Sequence, residues 1–586
     1  MIQRAFICAA VILSALTLTP SRAARAQHRA GGEARWVEET LKGLSPRERL
    51  GQLLMTPVQV EQATGERLEE LKRQLTELGL GGVVVRGGTP ETVAALTNEL
   101  QRAARVPLFV GADYERGLRM QMKSAGTPFT NNMGVAAAGD PRAAFEQAKV
   151  TAEEARAVGV NWLFGPVADL NNNPDNPVIN VRSFGEDPRR VADFVAAAVR
   201  GTREGGALST AKHFPGHGDT AVDSHIGLPT VAADRARLER VELVPFRAAV
   251  SAGVDSVMTA HIALPKLTGE DLPATLSPKV TTDLLRRELK FDGLVVTDSL
   301  GMGAITKGFP GGEAAVRAIQ AGADVALTPP ELKASLDALE EAVKGGRLTQ
   351  ERVDESVRRV LRAKYRLGLA EQRTVDPLAL KNLIERREAL ESARRVAENS
   401  ITLLRDGGGL LPLDASRAAT AAFVVVAADE DPEEGRAFVP AVQARAANAR
   451  VLRADPKTTA ADYDNLLSEA TKADLVVVAA FVKRAAGKGT VALPERQAEF
   501  VRRLIASGRP VAVVAFSGPY LVRQFPEAPA FVVAYGIEDV AQEAAARVLF
   551  GEAPARGRLP VSVPGLFAAG AGIQTKPKPP GRNRPR

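Results

Sequence analysis

At 586 residues the chain is too long for one ordinary domain, and its 45% apolar and 25% charged residues are the balance of a soluble globular protein. The net charge of +7 is the difference between 76 basic and 69 acidic residues that are mostly interspersed, which argues against a nucleic-acid partner. A mild attraction to anionic cell-wall polymer or membrane surface fits the same balance.

The chain opens like an export signal. Arg4 supplies a positive start, Ala5 to Leu18 an apolar run, and Ala24-Arg25-Ala26 a small-x-small cleavage site before Gln27. The run is short for a membrane span, so residues 1–26 are expected to be removed and the protein to be periplasmic or secreted; a retained N-terminal anchor is the alternative. Cys8, the only cysteine, lies inside this run. A cleaved chain has no disulfide and must rely on its core.

Residues 34–369 alternate short β-branched runs with long amphipathic stretches. Strands are predicted at Leu53–Pro57, Gly82–Arg86, Leu108–Asp113, Asn161–Pro166, Ala207–His213, Asp255–His261, Gly293–Asp298 and Ala323–Thr328. Helix-like segments lie between them, among them Pro90–Ala104, Pro141–Val158, Val191–Glu204 and Asp234–Ala252. Eight such units predict a closed (β/α)8 barrel; the alternative, an open doubly wound sheet, has no Gly-x-Gly-x-x-Gly after an early strand to support it. Asp113, Asp169, Lys212, His213, His261 and Asp298 all sit at or just past strand ends, at the face where barrel enzymes build their sites. Any one of them could be turn chemistry alone.

Residues 370–395 read as a charged linker. Residues 396–568 read as a smaller α/β sandwich domain with strands near Ser400–Leu404, Ala421–Ala427, Asp474–Val482, Pro510–Ser517 and Ala530–Gly536. Few polar residues end those strands, so no obvious chemistry shows there. The Gly/Pro-rich basic tail, 569–586, is expected to be disordered, with weak adhesion to anionic polymers as a second reading.

Four of the five histidines fall between positions 213 and 261, three of them in KHFPGHGDTAVDSH, Lys212 to His225. Pro215, Gly216 and Gly218 make this a loop. His213 and His217 have the spacing of a helical zinc pair, but the loop residues break the helix that would aim both rings at one ion. Asp223 and His225 can share one side of an extended chain, with the carboxylate on one ring nitrogen and the other left for a substrate oxygen. A satisfied loop histidine is the alternative. Asp298 ends the apolar run Gly293–Thr297 and is the best candidate for a carboxylate nucleophile, with a helix cap as its plainer reading.

The segments KHFPGHGDT…DSH, VVTDSLGM, NVRSFGEDP and VMTAHI resemble glycoside hydrolase family 3, and within it the β-N-acetylhexosaminidase branch. ENSITLL (Glu398–Leu404) is similar to the opening of that family's second domain. The resemblance implies a covalent glycosyl-aspartate at Asp298, with His225, paired to Asp223, as acid/base. It implies that Asp113, Arg182, Lys212 and His213 hold sugar hydroxyls, with His261 near the sugar, and it calls for no cofactor and no metal. The implied reaction releases terminal β-linked N-acetylglucosamine from cell-wall or chitin-derived oligosaccharides or glycopeptides. A β-glucosidase, a phosphorylase and a non-catalytic glycan-binding protein are the alternatives. One stretch departs from the family pattern: Asp113–Met122 reads DYERGLRMQM, with Arg116 in place of a glycine, Gln121 in place of an arginine, and Arg119 as a candidate substitute.

Overall fold

The computed structural model describes residues 22–122, 125–484 and 487–577. The apolar run Ala5–Leu18 lies outside the described residues. The first described helix, Arg22–Gly43, continues across the expected cleavage point after Ala26. No described helix is long and apolar enough to cross a membrane.

Eight short parallel strands form the first domain: β1 (Leu54–Gln59), β2 (Gly82–Arg86), β3 (Phe109–Ala112), β4 (Trp162–Leu163), β5 (Thr210–Phe214), β6 (Ser256–Thr259), β7 (Leu294–Thr297) and β8 (Ala326–Leu327). They pair as β4-β3-β2-β1-β8 and β5-β6-β7. Single parallel bridges, Trp162 to Leu208 and Val296 to Val325, join the two sheets, so the strands follow one another around a (β/α)8 barrel. The interior is filled rather than hollow. Met55, Val84, Phe109, Trp162, Phe164, Met258 and Val296 form one buried cluster, with Phe109 and Phe164 meeting the Trp162 ring edge-on at 4.8 and 5.6 Å. The indole N–H is satisfied there by Thr210 and Ser256, both at 2.9 Å.

The outer helices start on devices legible in the chain. Thr89-Pro90, Asp140-Pro141 and Asp187-Pro188 each place a capping side chain on a free backbone N–H and a proline in the first turn. The segment Asp234–Ala252 is two helices rather than the single predicted one, Arg235–Arg240 and Leu243–Ser251. Pro245 is the reason: it has no N–H for the Val241 carbonyl, and its ring crowds that oxygen.

The second domain carries β9 (Thr402–Asp406), β10 (Ala421–Ala427), β11 (Arg450–Ala454), β12 (Leu475–Phe481), β13 (Val511–Phe516) and β14 (Ala530–Val533), in the order β11-β10-β12-β13-β14-β9. All pairs are parallel except β14 with β9. Alternate residues of β10 and β12 enter two separate apolar clusters, one on each face, as a sheet covered on both sides requires. The first cluster also takes in Met133, Ala137 and Val181 of the barrel, so one core spans the domain boundary. Residues 370–395 are largely structured, the helix Arg387–Ser400 included. Past residue 569, Gly570 and Ile573 donate to the Leu559 and Leu403 carbonyls, and Thr575 bonds Ala555 in both directions, so the expected disorder does not begin at 569.

Candidate active site

The carboxyl ends of the barrel strands bring the predicted residues together. β3 runs into Asp113 and, two residues on, Glu115; alternate positions of an extended segment share a side. Buried Lys212, at the end of β5, donates to both carboxylates at 2.8 Å. Glu115 is also gripped by Arg182, Nε at 3.0 Å and Nη2 at 2.6 Å. Burial alone would raise the Glu115 carboxyl, but Arg182 and Lys212 hold it well below the ordinary range. Burial disfavours the charges of Arg182 and Lys212 too, and their carboxylate partners more than offset it. Much of the Arg182 guanidinium is therefore spent on protein groups, including the Val178 carbonyl at 3.1 Å. Glu115 is a residue the sequence reading left out, although the Asp-x-Glu spacing was there to be used.

Asp169, fully buried after β4, accepts from the His213 backbone N–H (3.1 Å), the His213 ring Nδ1 (2.6 Å) and the His217 backbone N–H (2.7 Å). This fixes the His213 ring and turns its Nε2 toward Arg182 at 3.4 Å. His217 does not converge with it on a common point: its two ring nitrogens meet Thr220 at 3.0 Å and Ser224 at 2.9 Å. Burial, then the nearby His213, lowers His217 to about 4, so it is a neutral structural ring. Gly218 is required beside it, because a Cβ there would lie 1.4 Å from the Leu170 carbonyl oxygen.

Asp298 follows β7 and is half-buried, with Oδ1 on the Ser299 N–H at 2.7 Å. The next helix begins only at Gly303, so this carboxylate is not a helix cap. Burial pushes its acidity down in strength, but His213, His261, the Ser299 N–H and Lys212 outweigh that and hold the pKa at about 2. His261 is fully buried behind it, Nδ1 on Thr275 and Nε2 on the Ser299 carbonyl, each at 2.9 Å. Both ring nitrogens are occupied, so His261 supports the Asp298 turn from within rather than facing a ligand.

The Asp223–His225 pair has the geometry expected of an acid/base dyad. Asp223 Oδ1 accepts from the His225 backbone N–H (2.9 Å) and from its Nδ1 (2.7 Å). The His225 side chain is 39% exposed, and its Nε2 has no partner among the described residues. The loop is strapped to the Asp298 turn: Gly303 and Ala304 donate to the His225 and Ser224 carbonyls, both at 3.2 Å. One contact comes from the second domain, whose strands showed no obvious chemistry in the sequence. Gly487, in the loop after β12, donates its backbone N–H to Asp223 Oδ2 at 2.8 Å.

Residues 45–363 match the Glycosyl hydrolase family 3 N terminal domain, and residues 401–576 match the family's C-terminal domain. The chain belongs to glycosyl hydrolase family 3. It is accordingly a glycosidase. A Beta-N-acetylglucosaminidase/beta-glucosidase of Cellulomonas fimi is 31% identical over 90% of this chain and 95% of its own length. Beta-hexosaminidase A of Pseudoalteromonas piscicida is 37% identical over 51% of this chain and 55% of its own length. Among solved structures, a family 3 beta-N-acetylglucosaminidase from Paenibacillus sp. superposes with a TM-score of 0.81 at 36% identity, covering 89% of this chain and 99% of that one. The beta-glucoside phosphorylase BglX bound to 2FGlc also superposes at 0.81, with 29% identity, covering 91% and 96%.

The stretch that departs from the family 3 pattern faces the second domain. Arg116 pairs with Glu538 at 2.9 Å and Arg119 with Asp539 at 3.3 Å. Arg119 therefore does not stand in for an arginine on the Asp113 side of the pocket; both side chains tie the domains together.

Proposed function

We propose that this glycosidase is a retaining β-N-acetylglucosaminidase acting on terminal residues of cell-wall or chitin-derived oligosaccharides. The observation that carries the reading is the dyad: Asp223 holds His225 with its Nε2 unpartnered among the described residues, on a loop strapped to the turn of a carboxylate kept ionised down to about pH 2. In the first step Asp298 bonds to the anomeric carbon while Nε2–H of His225 protonates the departing glycosidic oxygen. In the second, His225 takes a proton from water as the water displaces Asp298, restoring both groups and retaining configuration. Asp113, Lys212 and His213 supply the polar wall that grips the sugar. These contacts contribute most where they strengthen as the ring flattens.

The test is a pair of matched aryl glycosides with a 2-fluoro sugar as a trap. The N-acetyl-β-glucosaminide should be cleaved faster than the β-glucoside, and the trapped sugar should be found on Asp298. Faster cleavage of the glucoside, or label on another residue, overturns the assignment.

A further inference from the structure

Among the described residues only five large apolar side chains are exposed: Val222, Ile226, Leu378, Leu383 and Ile573. The last three lie in the segment joining the domains and in the tail. Val222 and Ile226 bracket the dyad, one residue before Asp223 and one after His225, and are 48% and 49% exposed. Apolar side chains scattered singly over a surface call for no explanation; two enclosing an acid/base pair do.

The backbone shows which edge of this loop is free. Three successive carbonyls are tied to the segment that follows Asp298: Ser224 accepts from Ala304 and His225 from Gly303, both at 3.2 Å, and Ile226 accepts from Lys307 Nζ at 2.7 Å. Gly303 permits this approach, since a Cβ there would lie 2.6 Å from the His225 carbonyl oxygen. Asp223 and Ser224 are buried, the Ser224 hydroxyl on His217 Nε2 at 2.9 Å. The carbonyl edge is therefore fastened, and Val222, His225 and Ile226 keep exposed side chains on the other. A proton passed from His225 Nε2 brings the leaving oxygen to within about 3 Å of the ring. The group bonded to that oxygen then lies along the side chains beside the ring. Both are β-branched, so few rotamers are lost on contact. None of the described Phe, Tyr or Trp side chains is exposed, so no large ring face competes for this role.

We propose that Val222 and Ile226 form an apolar patch that holds the leaving group, and that the favoured aglycone carries a compact apolar substituent, an alkyl or acyl group, near the scissile oxygen. A bare polyol gains nothing from such a patch, because it has no apolar area to withdraw from water there. The proposal rests on the reading of His225 as proton donor but not on the identity of the sugar released.

The experiment measures kcat/KM of the full chain on phenyl glycosides bearing a methyl, ethyl or propyl group at ring position 3 or 4, whose phenols are nearly equal in acidity. In at least one series the wild type should gain about two- to fourfold per added methylene. The double variant Val222→Ser/Ile226→Ser should lose that slope, each single serine variant part of it, and Ile226→Leu should keep it. The side chains are exposed and the loop's ties run through carbonyls, so the variants should fold; thermal unfolding checks this. Flat series in the wild type, or an unchanged slope in the double variant, would overturn the proposal. Failure of the acid assignment is read elsewhere, as a loss in His225→Ala that is equal for good and poor leaving groups. Should the N-acetylglucosaminides be inert and the glucosides active, the sugar assignment fails while the same series, made as glucosides, still judges Val222 and Ile226.

Discussion

At the scale of single residues, the two proposed reacting groups sit in different surroundings. Asp298 is surrounded by His213, His261, Lys212 and a backbone N–H, so it stays an anion throughout any working pH range. A nucleophile so stabilised is weak, and the first step leans on protonation of the departing oxygen. His225→Ala should therefore slow cleavage about a hundredfold or more for a poor leaving group such as a sugar or phenol, and only a few-fold for 2,4-dinitrophenolate, which departs without a proton. Steady-state kcat/KM across a series of aryl leaving groups measures this as a steeper dependence on leaving-group acidity. Equal losses along the series would remove His225 from the acid role. Glu115 works differently again: wholly engaged by Lys212 and Arg182, it orients both cations.

At the scale of elements, the loop after β12 does most to join the second domain to the chemistry. It is held on its far side by Lys483 on Asp431 and by Lys488 on Asp429, at 2.7 and 2.8 Å, and it delivers the Gly487 N–H to Asp223. Gly487 has φ +75 with nothing within 4 Å of a notional Cβ, so Gly487→Ala adds backbone strain without a clash. That strain, about 1–2 kcal/mol, should shift the loop and loosen its grip on Asp223. The expected result is a several-fold loss in kcat on poor leaving groups, little change with dinitrophenolate, and a near-wild-type unfolding temperature. A uniform loss across leaving groups would mean that the contact is only structural. The eight barrel strands were legible as short apolar runs between amphipathic stretches, several of them ending in a polar residue. Their ends were less so, since β4 and β8 pair over only two residues before the chain turns into the site. β11 escaped notice because it is an edge strand with arginines at Arg450 and Arg453 and little buried surface.

At the scale of the whole molecule, the site belongs to both domains, and this is where sequence reading ended. Lys212 to His225 is local, so its chemistry is visible in one stretch; Gly487 and Asp223 are 264 residues apart, and no local pattern announces their contact. The same holds for Arg116 with Glu538 and for the Tyr535 carbonyl, which takes Asn131 Nδ2 at 2.9 Å. The second domain also holds a buried carboxyl behind the loop after β12. Glu434 lies in the acidic turn after β10 whose Asp429 and Asp431 hold that loop, and it is 2% exposed. Burial, then the charges of Asp429 and Asp431, raise it to about 8 against a backbone hydrogen bond from Asp429 and the pull of Arg453. A carboxyl whose folded pKa exceeds its unfolded value binds more protons in the folded state, so its contribution is favourable at low pH and is lost as pH climbs from about 4 to about 8. Glu434→Gln keeps the shape without the titration. It should match wild type near pH 4 and be more stable by about 2–5 kcal/mol above pH 8, the gap opening steadily between. Thermal midpoints of the two proteins at half-unit pH steps decide it: parallel curves would show that Glu434 is ionised and solvated in the folded chain. A widening gap would make this turn a place where alkaline conditions loosen the anchor of the loop that holds Asp223.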